Sequence, residues 1–368
     1  PLIAHDTTSP SVDDIMDRVV VSHHWMGQRF REFLENFDPN NDFKNLLRAN
    51  TAIVISYDIR PSYYWVVSGA IHLDANYFWL TPDERDTINQ APDYRASFGS
   101  DLNFAMPWRY VKNNDYTTTF ISENVRTNRD PEDVLYGLTY LMYHELAHAN
   151  DFFPSTSWSN LNRNQAILSA AQQISNDTGY KSDQLKSTVP LLGDEMYGLA
   201  QVRFHGVDAT NTQKTYQPDD VTTFFSPEKA PQFYNYSSVR EDYAMLFDAF
   251  MMKIRFDISR DVAITNLPKT EDENYIVTWG QRGRIGEELI KPRVLFAVSN
   301  ILPEVNNVES LINNLPSPIM MKVGETWSEN LSIGSLNAQK PTIDKVSSLV
   351  KEKRFIQHDF YEKPSPIK

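Results

Sequence analysis

One helix constrains the fold of this chain more than any other segment, because it has to place two histidines on the same face. His144 and His148 stand four residues apart in the sequence HELAH. Four residues turn an α-helix by about 400°, so both imidazoles leave one face, about one turn apart. Asp130 and Pro131 signal the start of this helix, with negative charge at the positive end of the helix dipole. The pattern predicts a helix from residue 131 to about residue 150, with apolar residues at the helical period: Leu135, Leu138, Leu141, Met142 and Leu146.

Two histidines in this arrangement can bind one zinc ion at about 2.0–2.1 Å. Glu145 is offset from His144 by about 100°, so it can lie beside the metal without binding it. There it can accept a proton from a metal-activated water, as expected for an HExxH motif. The competing interpretation is an inert group of two histidines and a glutamate, hydrogen-bonded near the core.

A catalytic zinc ion needs a third protein ligand and one open position. The spacing HExxHxxGxxH, which supplies a third histidine locally, is absent because Asp151 and Pro154 occupy the positions in question. We therefore expect the third ligand to be a glutamate or an aspartate from a later helix. The best such helix covers residues 240–250.

Two short segments of the chain resemble anthrax lethal-factor-like peptidases and related gluzincins, which are zincin metallopeptidases. Residues 144–151 resemble the HExGHAxD zinc helix, with Ala147 in place of the usual glycine, and residues 241–247 resemble the downstream ExxAExF helix. The resemblance implies Zn²⁺ as the cofactor and Glu241 as the third ligand. It also implies hydrolysis of peptide bonds through a metal-activated water, with Glu145 as the general base.

Glu241 also fits a second role, because Ser238 and Glu241 have the spacing of a capping box at the start of a helix. In that role the carboxylate of Glu241 caps its own helix and is not available to a metal. The other candidates for the third ligand are Asp242, and then Glu195 or Asp194.

Acidic residues next to the motifs are candidates for orienting the ligands. Met245 stands where the family has a second glutamate, so Asp242 or Asp248 would have to take its place. Asp151 follows His148 by three residues. A zinc-bound histidine usually donates its other N–H to a carboxylate or a carbonyl group, which is one role for Asp151, and solvation of the helix end is the other.

The same family places a tyrosine shortly before the ligand glutamate, where it stabilises the oxyanion. The resemblance therefore implies a catalytic role for Tyr234, with Tyr236 as the alternative. Residues 69–74 are a candidate for the edge strand beside a zincin cleft, where a peptide backbone would pair with it.

The order of predicted elements indicates an α+β fold. We expect a zincin-like metallopeptidase domain over residues 1–260, with a mixed sheet that has an edge strand, an active-site helix and a downstream ligand helix. Residues 261–368 are expected to form a C-terminal α+β extension. Further predicted helices cover residues 12–37, 164–174, 190–204, 238–254 and 294–301, and predicted strands lie near residues 51–56, 65–67, 70–73, 116–121 and 275–279, with a turn-rich region after Asp257.

Composition excludes several classes of function. The net charge is −13 and no basic stripe is present, which argues against nucleic acid and anionic membrane surfaces as partners. The chain has no cysteine, so disulfides and thiolate chemistry are excluded. No apolar run approaches the roughly 20 residues that span a bilayer. Because the sequence starts at Pro1, we expect a processed protein of the bacterial periplasm or cell envelope, such as a lipoprotein.

The sequence thus predicts a zinc-dependent peptidase that acts on a peptide or protein substrate. Its alternative is a catalytically weak or inactive binding protein of the bacterial cell envelope, built on a zincin scaffold. A third hypothesis is a metal-free globular protein in which HExxH occurs by accident.

Overall fold

The computed structural model describes residues 1–91, 95, 97–118, 121, 125–270 and 272–334. Within these residues the α-helices are Val12–Met16 (α1), His24–Phe37 (α2), Asp42–Leu47 (α3), Pro82–Arg85 (α4), Pro131–Phe152 (α5), Ile167–Asp177 (α6), Lys181–Thr188 (α7), Asp194–His205 (α8), Pro218–Phe225 (α9), Val239–Phe256 (α10), Lys291–Ile301 (α11) and Val308–Asn313 (α12). The strands are Val19–Val21 (β1), Ala52–Ser56 (β2), Tyr63–Trp65 (β3), Ala70–Asp74 (β4), Phe104–Ala105 (β5), Trp108–Lys112 (β6), Asp115–Tyr116 (β7), Ser259–Asn266 (β8), Val277–Arg282 (β9) and Ile319–Met320 (β10).

The first sheet is mixed and has the strand order β1-β2-β4-β3. Strands β1, β2 and β4 run parallel, and β3 pairs antiparallel with β4. The predicted edge strand at residues 69–74 is therefore wrong, because β4 lies between β2 and β3. The edge of this sheet on the side of α5 is β3, whose Tyr64 ring stacks on Phe152 with centroids 5.9 Å apart.

The second sheet is antiparallel, with the strand order β10-β9-β8-β6-β7, and β5 pairs with β8 beside β6. Strand β8 was not predicted, because Arg260 and Asp261 interrupt the alternation of apolar residues that marks a strand. Both side chains are nevertheless buried. The molecule is thus an α+β protein with a mixed sheet and an antiparallel sheet, and the zincin-like character of the fold stays a prediction.

Some predicted elements differ from the observed ones, and others are confirmed. The single helix over residues 12–37 is wrong: α1 and α2 are separated by β1, whose three consecutive valines favour an extended backbone and pair with β2. The predicted strand at 116–121 overlaps the observed β7 only at Tyr116, since residues 117, 118 and 121 are not in a strand; residues 119 and 120 lie outside the described part of the chain. The helices predicted from 131 and from 238 are confirmed as α5 and α10.

Helices α5 and α10 pack against each other at the centre of the molecule. Helix α5 is buried on all sides from Gly137 to Phe152, and α10 from Glu241 to Met252. Around them one continuous hydrophobic core extends from Leu2 to Leu315. Polar side chains in these stretches are therefore shielded from water, and they need hydrogen-bond or ion-pair partners within the protein.

The boundary that we predicted at residue 260 falls inside β8. This strand pairs with β6 from the N-terminal part of the chain and with β9 from the C-terminal part. The division of the chain into a domain and an extension stays a prediction. None of the helices in the described ranges has the length and apolar character needed to cross a membrane.

Candidate metal centre

The two histidines of the HExxH motif face one carboxylate of the neighbouring helix. The rings of His144 and His148 lie on α5 with their centroids 5.0 Å apart. Oε2 of Glu241 on α10 is 2.9 Å from Nε2 of His144 and 3.6 Å from Nε2 of His148. All three side chains are buried, and one ligand atom from each lies within 4.8 Å of the others.

These distances fit the ligand set of a small metal ion. Tetrahedral ligands at about 2.0–2.1 Å from zinc are about 3.3–3.4 Å apart, a value between the two nitrogen–oxygen distances. Two imidazole nitrogens and one carboxylate oxygen are donors that zinc accepts. His144, His148 and Glu241 can therefore hold a metal ion with little movement, and the distances alone do not identify the element.

Two roles were considered for Glu241, and different parts of the residue account for them. Its backbone takes part in the helix cap, and its carboxylate contacts the histidines. Ser238 is the N-cap of α10, and its hydroxyl accepts a hydrogen bond from the backbone N–H of Glu241 at 3.2 Å. The carboxylate of Glu241 points away from the cap and toward the histidines. One half of the predicted capping box is thus formed, and the other half is replaced by the contacts with His144 and His148.

Asp248 holds the other nitrogen of His144. The Nδ1–H group of His144 donates to Oδ2 of Asp248 at 3.0 Å. Oδ1 of Asp248 accepts hydrogen bonds from Nη2 of Arg260 at 2.6 Å and from the hydroxyl of Tyr110 at 3.1 Å. All four residues are buried. A carboxylate in this position fixes the tautomer and the orientation of a metal-binding histidine.

Asp242, which we predicted to lie near the site and orient a ligand, binds elsewhere. Its carboxylate pairs with Arg293 of α11 and accepts a hydrogen bond from the side-chain amide of Asn235 at 3.0 Å. Because Asp242 follows Glu241, its side chain leaves the helix about 100° away from the histidines. Of the two aspartates considered for this role, Asp248 makes the contact.

Asp151 lies beside His148 but its hydrogen bonds go to α7. Its two oxygens accept from the backbone N–H of Ser182 at 2.8 Å and from the Ser182 hydroxyl at 2.6 Å. Within the described residues, Nδ1 of His148 is buried and makes no hydrogen bond. Burial raises the pKa of Asp151, although the charges of Arg240 and His148 and the bonds from Ser182 oppose this.

The metal-free site is strongly charged. Burial by itself lowers the pKa of His144, but hydrogen bonds to Asp248 and Glu241 outweigh it and raise the pKa to about 10. Burial also lowers the pKa of His148, and the charge of Glu241 reverses this. Burial alone raises the pKa of Glu241, yet the charge of His148 and the hydrogen bond from His144 bring it down to about 2. A metal ion that binds here therefore has to displace a proton from His144.

Glu145 and Tyr234 lie close to this group. Glu145 is buried on α5, and its charge contributes, after burial and the charge of Asp248, to raising the pKa of Tyr140. Tyr234 is buried in the short 3₁₀ helix Phe233–Tyr236, with its ring centroid 6.3 Å from that of His144. The alternative residue, Tyr236, points away, and its hydroxyl donates to Glu228 at 3.3 Å.

Other predicted candidates lie away from the site. Asp194 and Glu195 are exposed at the start of α8 and do not belong to the group of possible metal ligands. The sequence did not point to Tyr110, which precedes α5, or to Arg260, which follows α10. Both residues reach Asp248 because β6 pairs with β8. The one available signal was the charged pair Arg260 and Asp261 directly before the apolar residues 262–264.

Comparison of the chain with protein-family models, with curated proteins and with solved structures gives no match.

Proposed function

We propose that this chain is a zinc-dependent peptidase that hydrolyses peptide bonds. One observation carries the proposal: the ligand atoms of His144, His148 and Glu241 come from two different helices and lie within 4.8 Å of one another. The HExxH sequence specifies the two histidines on one helix, but it does not specify a carboxylate from another. A chance match has no reason to be completed in this way.

In this proposal His144, His148 and Glu241 hold the ion. Bound zinc supplies a Lewis acid that polarises a carbonyl group and makes water more acidic. Glu145 follows the first ligand by one residue. Burial lowers the pKa of His148, and the charge of Glu145 contributes, after that of Glu241, to raising it. In this proposal the carboxylate of Glu145 accepts a proton from the attacking water. The same carboxylate then donates that proton to the leaving amine.

Tyr234 takes a second catalytic role in this proposal. Its ring lies beside His144, and its phenol can donate a hydrogen bond to the oxygen on which negative charge develops. Because a donor in a buried site is shielded from water, such a bond is stronger than it would be in solution. Tyr234→Phe is therefore expected to lower kcat more than it changes KM.

The edge strand β3 supports a peptide as the substrate. It pairs only with β4 among the described strands, and it contacts α5, the helix that carries the motif. The edge strand of a sheet can bind an extended peptide through backbone hydrogen bonds. A peptide bound to β3 in this way would lie beside α5. Its backbone hydrogen bonds would not require a particular sequence.

The test combines metal content with hydrolysis. The purified protein is analysed by elemental mass spectrometry beside His144→Ala, Glu241→Ala and Glu145→Gln variants. We expect about one zinc per chain, lost in the first two variants and retained in the third, which also loses hydrolysis of a mixed peptide library. Hydrolysis by the Glu145→Gln variant at the unmodified rate would refute the mechanism, and absence of metal after zinc is added would refute the site.

A second function is favoured by one specific observation. His144, His148, Glu145 and Glu241 are each at most 4 % exposed, which leaves little access for a substrate. The alternative proposal is a catalytically weak or inactive binding protein of the bacterial cell envelope on a zincin-like scaffold. It predicts stoichiometric zinc without hydrolysis of any peptide in the library, whereas the peptidase predicts both.

A further inference from the structure

A large cavity lies next to the metal centre. It has a volume of about 620 Å³ and is bounded by β5, β6, α8 and the 3₁₀ helix Phe233–Tyr236. Pockets that bind small ligands or side chains typically have about 300–1,000 Å³. The cavity is therefore large enough for a side chain of any size together with part of the adjoining backbone.

Part of the lining of this cavity is apolar and largely aromatic, while Asp101, Asn103, Arg203 and Lys269 contribute polar and charged groups to the rest. The apolar members Phe104, Trp108, Phe204, Phe233 and Leu267 belong to four separate segments of the chain. Phe204 contacts Phe233 with ring centroids 4.9 Å apart, and these rings are tilted by 56°. Aromatic rings offer both faces and edges to another ring, which favours an aromatic side chain in this part of the cavity.

Two residues of the wall connect the cavity to the metal centre. Tyr234 lines the cavity, and its ring centroid is 6.3 Å from that of His144. Trp108 also lines the cavity and packs against Tyr140 of α5 at 5.9 Å and over the guanidinium of Arg260 at 5.3 Å. An occupant of the cavity therefore lies one side chain away from the ligand His144.

We propose that this cavity binds a large apolar side chain, preferably an aromatic one, of the peptide that the metal centre acts on. The inference rests on the proposed function for its biological meaning, but the binding itself does not require hydrolysis. Burying a phenylalanine side chain that was exposed in the free peptide is expected to strengthen binding about 10- to 100-fold relative to alanine.

The experiment compares two blocked hexapeptides of small polar residues that carry either one phenylalanine or one alanine at the same central position. Binding to the zinc-loaded Glu145→Gln protein is measured by titration calorimetry, so that the peptide is not consumed. We expect the phenylalanine peptide to bind at least about tenfold more tightly than the alanine peptide. Equal affinities for the two peptides would overturn the proposal.

Two variants locate the binding. Ala105→Trp on β5 places a large side chain in the cavity, and Leu267→Trp, at a lining position directly after β8, does so if the first variant does not fold. Either is expected to reduce the preference for phenylalanine to less than about threefold. Val20→Trp, at a 58 % exposed position on β1, is the matched control and should keep the full preference. A preference that survives in the cavity variants would place the binding elsewhere and overturn the proposal.

The outcomes separate this inference from the proposed function. Binding with a preference for phenylalanine, lost in Ala105→Trp and accompanied by no hydrolysis in the unmodified zinc-loaded protein, supports the cavity and refutes the peptidase. Hydrolysis that is indifferent to phenylalanine, and unchanged in Ala105→Trp, supports the peptidase and refutes the cavity.

Discussion

Strands β4 and β8 both lie inside a sheet, but they bury different kinds of side chain. Strand β4 buries Ile71 and Leu73 in the apolar core. Strand β8 buries Arg260 and Asp261 next to each other. The first sheet supports α5 through apolar packing, which tolerates small changes in shape. The second sheet depends on buried charges, and one of them, Arg260, contacts Asp248 beside the candidate metal centre.

The charges of the second sheet form two groups on the two faces of β8. Asp261 accepts hydrogen bonds from Arg109 at 2.8 Å and from Arg282 at 2.6 Å, which joins β6, β8 and β9. Arg260 points to the opposite face, as successive residues of a strand do, and binds Asp248 of α10. One face of the strand thus stabilises the sheet, while the other face positions His144, a candidate metal ligand.

The largest effect is expected from removing the charge that Arg109 and Arg282 share. Asp261→Ala leaves two arginines buried without their carboxylate, and we expect a loss of about 3–5 kcal/mol in the free energy of unfolding. Ile71→Val in β4 should cost only about 0.5–1.5 kcal/mol. Urea denaturation of the metal-free proteins measures both. Equal losses in the two variants would contradict the difference that we draw between the sheets.

A smaller effect, specific to the metal, is expected at Arg260. In Arg260→Met, Asp248 keeps the hydrogen bond from Tyr110 but loses its cationic partner, so the carboxylate holds His144 less firmly. Loss of an outer partner of this kind typically weakens metal binding about 10- to 100-fold. The measurement is competition for zinc with a chromophoric chelator.

Ile71→Val is the control for this variant, because it lowers stability without touching the site, and its zinc affinity should stay within about twofold. Arg260→Lys keeps the positive charge but lacks the planar guanidinium group, and it should retain part of the zinc affinity. If Arg260→Met and Ile71→Val bind zinc equally well, the second sheet does not position His144.

The two carboxylates that contact His144 also predict how zinc affinity depends on pH. Because Asp248 and Glu241 outweigh burial and raise the pKa of His144 to about 10, the free site carries a proton on His144 at neutral pH. A raised pKa means that this proton stabilises the metal-free protein below pH 6.5 and that its contribution is lost as the pH rises through about 10. Zinc affinity should therefore increase by about tenfold per pH unit for this one proton as the pH rises toward 10.

Calorimetric titration with zinc at pH 7.5, in buffers with different enthalpies of ionisation, counts the protons released. We expect at least one proton per zinc. Binding that releases none, with an affinity independent of pH, would show that His144 is already neutral in the metal-free protein and that Asp248 does not raise its pKa.

The local part of the site could be predicted from the sequence. The four-residue spacing of His144 and His148 fixes their common face through helix geometry alone, and the start signals at Asp130 and Pro131 place that helix correctly. The choice of Glu241 came from a resemblance between short segments, and the contacts of its carboxylate agree with that choice.

The rest of the site depends on long-range pairing, for which sequence spacing carries no information. Asp248 binds a histidine 104 residues away, and Tyr110 reaches it only because β6 pairs with β8. For the same reason the sequence did not predict β8: the partners that make Arg260 and Asp261 tolerable inside a sheet lie on other strands and on α10. Asp242 and Asp248 were both candidates for orienting a ligand, and the structure selects Asp248, the aspartate on the face turned toward His144.

Among the changes near the site, the smallest effect on zinc affinity is expected from a change at Ser238. This residue caps the backbone N–H of Glu241, whose carboxylate contacts the two histidines. Ser238→Ala removes the acceptor for the backbone N–H of Glu241 and should lower the free energy of unfolding by about 1 kcal/mol. Zinc affinity should change by less than about threefold, because the carboxylate of Glu241 takes no part in the cap and α10 is held by its buried face. Denaturation and chelator competition on the same variant measure the two quantities. A loss of zinc affinity as large as that of Arg260→Met would mean that the cap, and not the second sheet, sets the position of the ligands, and the contrast between β4 and β8 would then have no bearing on the site.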